Sequence, residues 1–123
     1  MPVYYNQCID ACYKCASACD ICAASWVNVS GPDTTREYVW LSTLCANICR
    51  MAARHMASGS EIVNIICQLC ADLCQKFSNQ YDNSQNEECK LCVQACLHCV
   101  QACRAVIIAV ENTQESNFNY VDK

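Results

Sequence analysis

The chain has 123 residues, enough for one domain with a core of its own. Its formal net charge is −4, and its 8 Lys and Arg form no basic run, which excludes a nucleic-acid partner. Fifteen cysteines stand beside only 26 Leu, Ile, Val and Phe together, so sulfur replaces part of the usual aliphatic core; 2 Gly and 2 Pro leave few turns and point to long helices.

The N-terminal run Met1-Pro2-Val3-Tyr4-Tyr5 carries no basic region followed by an apolar one, so no secretory signal is read and a cytoplasmic location is expected. There thiols stay reduced, and cysteines are read as metal ligands or redox groups before disulfides. A first helix is predicted over 3–28, with Cys8, Cys12, Cys15, Cys19 and Cys22 on one stripe and Tyr5 and Trp26 continuing it. Ser30-Gly31-Pro32-Asp33 breaks the chain, and Thr34 with Glu37 resembles a capping box. The second helix, 34–57, carries Cys45 and Cys49, continued by Tyr38 and Met56. Gly59 is the expected left-handed C-cap, and Ser58 with Glu61 a second box. The third helix, 60–80, carries Cys67, Cys70 and Cys74, continued by Val63, Phe77 and Tyr81. After Asp82 to Asn86, with Ser84 and Glu87 as a third box, the fourth helix, 85–112, carries Cys89, Cys92, Cys96, Cys99 and Cys103, then Val106 and Val110. Residues 113–123 read as a loose polar tail.

Steps of three and four average 3.5 residues, the period of one helical stripe; a strand would need steps of two. Short links make consecutive helices antiparallel. The expected fold is an all-α, up-down-up-down four-helix bundle over 1–112 with a cysteine-lined core. The column should run from Cys8, Cys49, Cys67 and Cys103 to Cys22, Cys45, Cys74 and Cys89. Trp26, Tyr38, Phe77 and Tyr81 should close one end, and Tyr5, Met56, Val63, Val106 and Val110 the other. Val39, Val93 and Val100 lie off the seams and are candidates for a helix–helix contact between copies. No uninterrupted apolar run approaches about 18 residues, so no membrane span is expected.

One or two seam cysteines would be core filler. Fifteen on the same four seams ask for chemistry. Disulfides fit poorly, because Cβ atoms at i,i+3 and i,i+4 lie about 5–6 Å apart and a disulfide wants about 3.8 Å. A metal fits, since two thiolate bonds of about 2.3 Å span roughly 4.6 Å when linear. Soft thiolates select copper(I), zinc or iron–sulfur centres. A tetrathiolate zinc site keeps a charge of about −2, costly when stacked in a dry core. Copper(I) with bridging thiolates approaches neutrality. All fifteen cysteines are therefore candidate copper(I) ligands, with Met56, His55 and Met51 as candidate auxiliary ligands. A zinc-thiolate buffer, a thiol redox protein and a disulfide-stapled bundle are the alternatives.

The pattern Cys8-Ile9-Asp10-Ala11-Cys12 with Cys15, Cys19 and Cys22 resembles the first helix of the four-helix-bundle copper storage proteins. Cys45-Ala46-Asn47-Ile48-Cys49, Met56 to Glu61, Cys67 to Cys74 and the ladder Cys89 to Cys103 extend the resemblance over about residues 5–106. The resemblance implies a non-catalytic store of multiple Cu(I) ions that buffers or detoxifies cytosolic copper. It also implies a homo-oligomer, often a tetramer of bundles. Copper ions are the expected ligand, and a copper chaperone or a small thiol the expected donor.

Overall fold

A computed structural model describes residues 3–26 and 32–121, with the side chains of 3–25 and 36–113. Four helices follow in chain order: α1 (Val3–Trp26), α2 (Pro32–Ser58), α3 (Val63–Tyr81) and α4 (Glu87–Val121). Each helix packs on its neighbours in sequence, and α1 closes the ring against α4; across the diagonals seam thiols meet, Cys15 with Cys74 and Cys49 with Cys99, each at 3.9 Å. This is the expected up-down-up-down bundle.

The seams bury as their spacing dictates. Every cysteine is fully buried, and so are the small residues flanking them: Ala11, Ala16, Ala46, Ala52, Ala53 and Ala71. Alanine beside cysteine lets backbones approach closely, and that closeness sets the sulfur–sulfur distances. Val93 and Val100, off the seams, are buried within the bundle itself.

The α2–α3 link is built on Gly59, at φ +67°. Its N–H donates to the Met56 carbonyl (3.2 Å), and the next N–H, of Ser60, donates to the His55 carbonyl (3.0 Å). This pair of bonds is a Schellman closure, as expected for a glycine C-cap. The Ser58–Glu61 box does not form: the Ser58 hydroxyl donates back to the His55 carbonyl, and Ser60 Oγ accepts from the Ile62 N–H. Helix α3 therefore starts at Val63. At α4 the expected cap also moves. Asn86 Oδ1 accepts from the Cys89 N–H at 2.8 Å, so Asn86 caps the helix, while Ser84 Oγ accepts from the Asn86 N–H. Asparagine outranks serine only slightly as a cap, and the position two residues later wins because it leads directly into Glu87 and Glu88, whose charges favour the helix start. Helix α2 already includes Pro32, a good first-turn residue. The expected break at Ser30 and Gly31 and the Thr34 side chain lie outside the described residues.

Helix α4 runs on to Val121, past the end expected near residue 112. No Gly or Pro follows Asn112 to stop it, and the Thr113 hydroxyl donates to the Ala109 carbonyl within the helix. By mean hydropathy (1.7), α4 between Glu87 and Thr113 is also long and apolar enough to cross a membrane. Five of its apolar residues are seam cysteines facing the other helices, and a buried core helix meets the same criterion.

Asn86→Ala should cost about 1 kcal/mol of stability. Glu61→Ala, in the box that does not form, should stay within about 0.5 kcal/mol. Chemical denaturation of the reduced protein checks both; equal losses would contradict the observed cap.

Candidate metal centre

Helix periodicity brings the thiols to one axis, and the antiparallel pairing sets their order. Read forwards, the cysteines of α1 step four, three, four, three; those of α4 read backwards step the same way. The two helices mesh in that register. Cys8 Sγ lies 3.6 Å from Cys103 Sγ, Cys12 3.7 Å from Cys99, Cys15 3.5 Å from Cys96, and Cys19 3.3 Å from Cys92. The same register sets Cys22 opposite Cys89. This mirror of spacings was available in the sequence as a signal of which sulfurs face each other.

Helices α2 and α3 form the opposite wall, with Cys49 3.7 Å from Cys70. Continuing that register sets Cys45 opposite Cys74, Ala52 opposite Cys67, Met56 opposite Val63 and Tyr38 opposite Tyr81. The wall is thus incomplete. Cys49 does not belong to the end of the column as expected. It clusters with Cys15, Cys74 and Cys99, well inside, because Ala52 takes the seam position between Cys49 and Met56. Cys45 and Cys74 are also interior, since α2 and α3 give their next inward positions on that side to Ser42 and Phe77.

Four groups of sulfurs lie within 4.8 Å of one another: Cys8, Cys67 and Cys103; Cys12, Cys70, Cys99 and Cys103; Cys15, Cys49, Cys74 and Cys99; and Cys15, Cys19 and Cys96. Shared members make them one continuous column. Within a helix, Cys8–Cys12 and Cys15–Cys19 are each 4.0 Å apart. Three sulfurs at that spacing surround a point about 2.3 Å from each, the length of a metal–thiolate bond. The column can take soft metal ions with little movement of the backbone.

The thiols are not equivalent electrostatically. Hydrogen bonds from Cys19, then Cys49, Cys74 and Cys96, push Cys15 down to about 3. Cys103, then Cys12, Cys49 and Cys74, do the same to Cys70, also to about 3. At Cys67 the bond from Cys103 pulls down, but Cys8 and burial outweigh it and push the thiol up to about 12. Cys49 is raised by Cys12, Cys15, Cys70 and Cys74, and Cys96 by Cys15, Cys19, Cys45 and Cys74. A thiolate is stabilised by neighbouring S–H donors, and each such donor must keep its proton.

The two ends are closed differently. Tyr38, Phe77 and Tyr81 form an aromatic cluster with ring centroids 4.7–5.6 Å apart. Trp26 ends α1, and its side chain lies outside the described residues. From sequence, Tyr38 is only a plug; here its hydroxyl also hydrogen-bonds Cys22 Sγ. Burial, then the thiols of Cys22 and Cys89, push its phenol well above the ordinary value. At the other end Met56, Val63 and Val106 are buried, with Tyr5 and Val110 partly so. Met51 is exposed and His55 half-buried, both outside the column, and His98 is exposed. Asp10 pairs with Lys14, Asp20 with Arg50 of α2, and Asp72 accepts from Gln68; all are surface contacts.

The family described as copper storage protein matches residues 2–108. The uncharacterized cysteine-rich protein YhjQ of Bacillus subtilis is 31% identical over 95 residues, which cover 77% of this chain and 88% of that one. The Cu(I)-bound copper storage protein BsCsp3, of Bacillus subtilis, superposes with a TM-score of 0.77 at 31% identity, covering 83% of this chain and 96% of that chain. A cytosolic copper storage protein from Streptomyces lividans, 23% identical, shares the fold with a TM-score of 0.74 over 85% of this chain and 92% of that one. With a family match over residues 2–108 laid on a bundle whose core is a column of thiols, this chain belongs to the copper storage protein family.

Proposed function

We propose that the chain is a non-catalytic store holding multiple Cu(I) ions per molecule, with all fifteen cysteines as ligands. The observation that carries this reading is the continuous column of overlapping sulfur groups. A discrete enzyme site would single out one or two thiols, whereas here eleven of the fifteen thiols lie in those overlapping groups and none is exposed. Charge favours copper(I) over zinc: shared thiolates with one copper each approach neutrality, and stacked tetrathiolate zinc does not. Met56 is the auxiliary ligand best placed for the column, being buried at its α2 end; His55 and Met51, outside it, would act in delivery. Residues 1–112 form the storage unit, and α4 continues to Val121, beyond the last seam residue, Val110.

Loading proceeds by ligand exchange from a small thiol or a copper chaperone, in the cytoplasm. The location is supported by the Streptomyces neighbour, which is named cytosolic. Exposed Ile21, Trp40, Ile65, Leu69, Leu91 and Ile108 give the outside of the bundle enough apolar surface for a homo-oligomer. Light scattering should report a mass above one chain; a monomeric mass at working concentrations would remove that part of the reading.

Anaerobic titration of the reduced protein with Cu(I) against a competing chelator should saturate at many ions per chain. Saturation at one or two would sink the storage reading, and preferred retention of zinc in the presence of Cu(I) would favour a zinc buffer. Loading should also release protons, because thiols such as Cys67, held up at about 12, are still protonated at neutral pH. The sign follows: lowering the pH favours the protonated thiol and competes with copper, so apparent affinity should rise between about pH 6 and 8. A pH-stat that consumes no base during loading would contradict thiolate ligation.

A further inference from the structure

A groove on the outside of the bundle lies against the wall of the column. Gln7 and Asp10, one turn apart on α1, and His98, Gln101 and Ala102 on α4 line it, with a volume of about 460 Å³. That size suits a small organic molecule. The rim is polar and exposed: two amides, a carboxylate and an imidazole, with Lys14 3.0 Å from Asp10. The floor is thin. Ala102 and His98 immediately precede Cys103 and Cys99, which form a four-sulfur group with Cys12 and Cys70. The α1–α4 register brings Ala11 near the level of Ala102 and Ala18 near that of Ala95, and all four pack against the core. Along this seam little more than methyl groups separates solvent from sulfur.

Resting on the storage reading, we propose that this groove docks a small peptide-like thiol carrying copper(I), which hands its ion through the alanine seam to the sulfurs of Cys12, Cys99 and Cys103. The lining matches that chemistry. A peptide thiol presents amides, an ammonium and carboxylates beside its sulfur. Gln7 and Gln101 can each donate to and accept from an amide, Asp10 takes the ammonium, and His98 and Lys14 supply N–H donors for a carboxylate. A protein donor would need a far larger surface than this groove offers. In the handover a seam thiol gives its proton to the departing donor thiolate; one copper–sulfur bond forms as another breaks, and the ion stays Cu(I). Asp10 and His98 are the groove's only metal-binding side chains and belong to no group of three, so the groove serves the carrier and not the ion itself.

The test uses the full chain, reduced, copper-free and anaerobic. It is loaded by stopped flow from Cu(I)–glutathione or from Cu(I)–mercaptoethanol, a thiol with neither amide nor charged group. Loading from glutathione should level off as donor concentration rises, the mark of docking before exchange. Loading from mercaptoethanol should stay proportional to concentration. Asp10→Asn combined with His98→Ala should slow loading from glutathione about ten-fold, the scale of one or two lost hydrogen bonds. It should leave loading from mercaptoethanol and the final copper capacity unchanged. Gln101→Trp, which fills the groove from its exposed rim, should do the same. Unfolding curves of these variants should match the parent, because all three side chains are exposed. Parent-like rates from glutathione in the variants, or equal slowing with both thiols, would overturn the proposal. Failure of the storage reading looks different: the parent chain itself would saturate at one or two ions.

Discussion

A protonated thiol packs as a small apolar group, and a deprotonated one is a soft anion that seeks a metal. The bundle depends on having both behaviours at the same atoms. Empty, the column is close to neutral and can be buried as a core. Filled, each proton exchanged for copper(I) leaves the charge nearly unchanged where thiolates are shared. The same dry interior can therefore hold either occupant, which carboxylates or imidazoles at these positions would not allow without burying charge or leaving polar groups unpaired.

That dual use has a packing cost, and the sequence shows where it is offset. Sulfur fills less space than leucine, so the helices must approach more closely to leave no voids. Alanines beside the seam cysteines make this possible, at Ala11 and Ala16 on α1, Ala46, Ala52 and Ala53 on α2, and Ala71 on α3. The larger buried side chains, Tyr38, Phe77, Leu41, Met56 and Val106, flank the thiols at the two ends. Close helices hold the sulfurs 3.3–4.0 Å apart, and end residues with real apolar bulk help keep water from the column.

Most of this was legible from spacing. The alternation of threes and fours along Cys8 to Cys22 and Cys89 to Cys103 permits only a helical stripe, and four such stripes joined by short links permit few folds. The left-handed turn at Gly59 was legible for the same kind of reason, because little else suits that backbone. Depth along the column was harder. Placing Cys49 requires knowing which α3 residue it faces, and that is set by the offset between two helices, a property of packing. Helix ends were harder still: Ser84 and Asn86 are both good caps, and the choice between them turns on where the first buried residue of α4, Cys89, must fall. The length of α4 was misjudged because polarity was read as disorder, although nothing in Asn112 to Tyr120 breaks a helix.

The register argument explains why the column is uneven. Helices α1 and α4 carry matching spacings and supply thiols along the whole axis. Helices α2 and α3 supply them only along part of it, giving way to Ala52 and Met56 toward one end and to Tyr38 and Phe77 toward the other. The thiols facing the axis thin out accordingly, from sulfur on both walls in the middle to sulfur on one wall beside the aromatic cluster. A metal that accepts two, three or shared thiolates suits such a gradient, whereas an ion that demands four at every level does not. The missing thiols of α2 and α3 therefore argue for copper(I) as strongly as the thiols that are present.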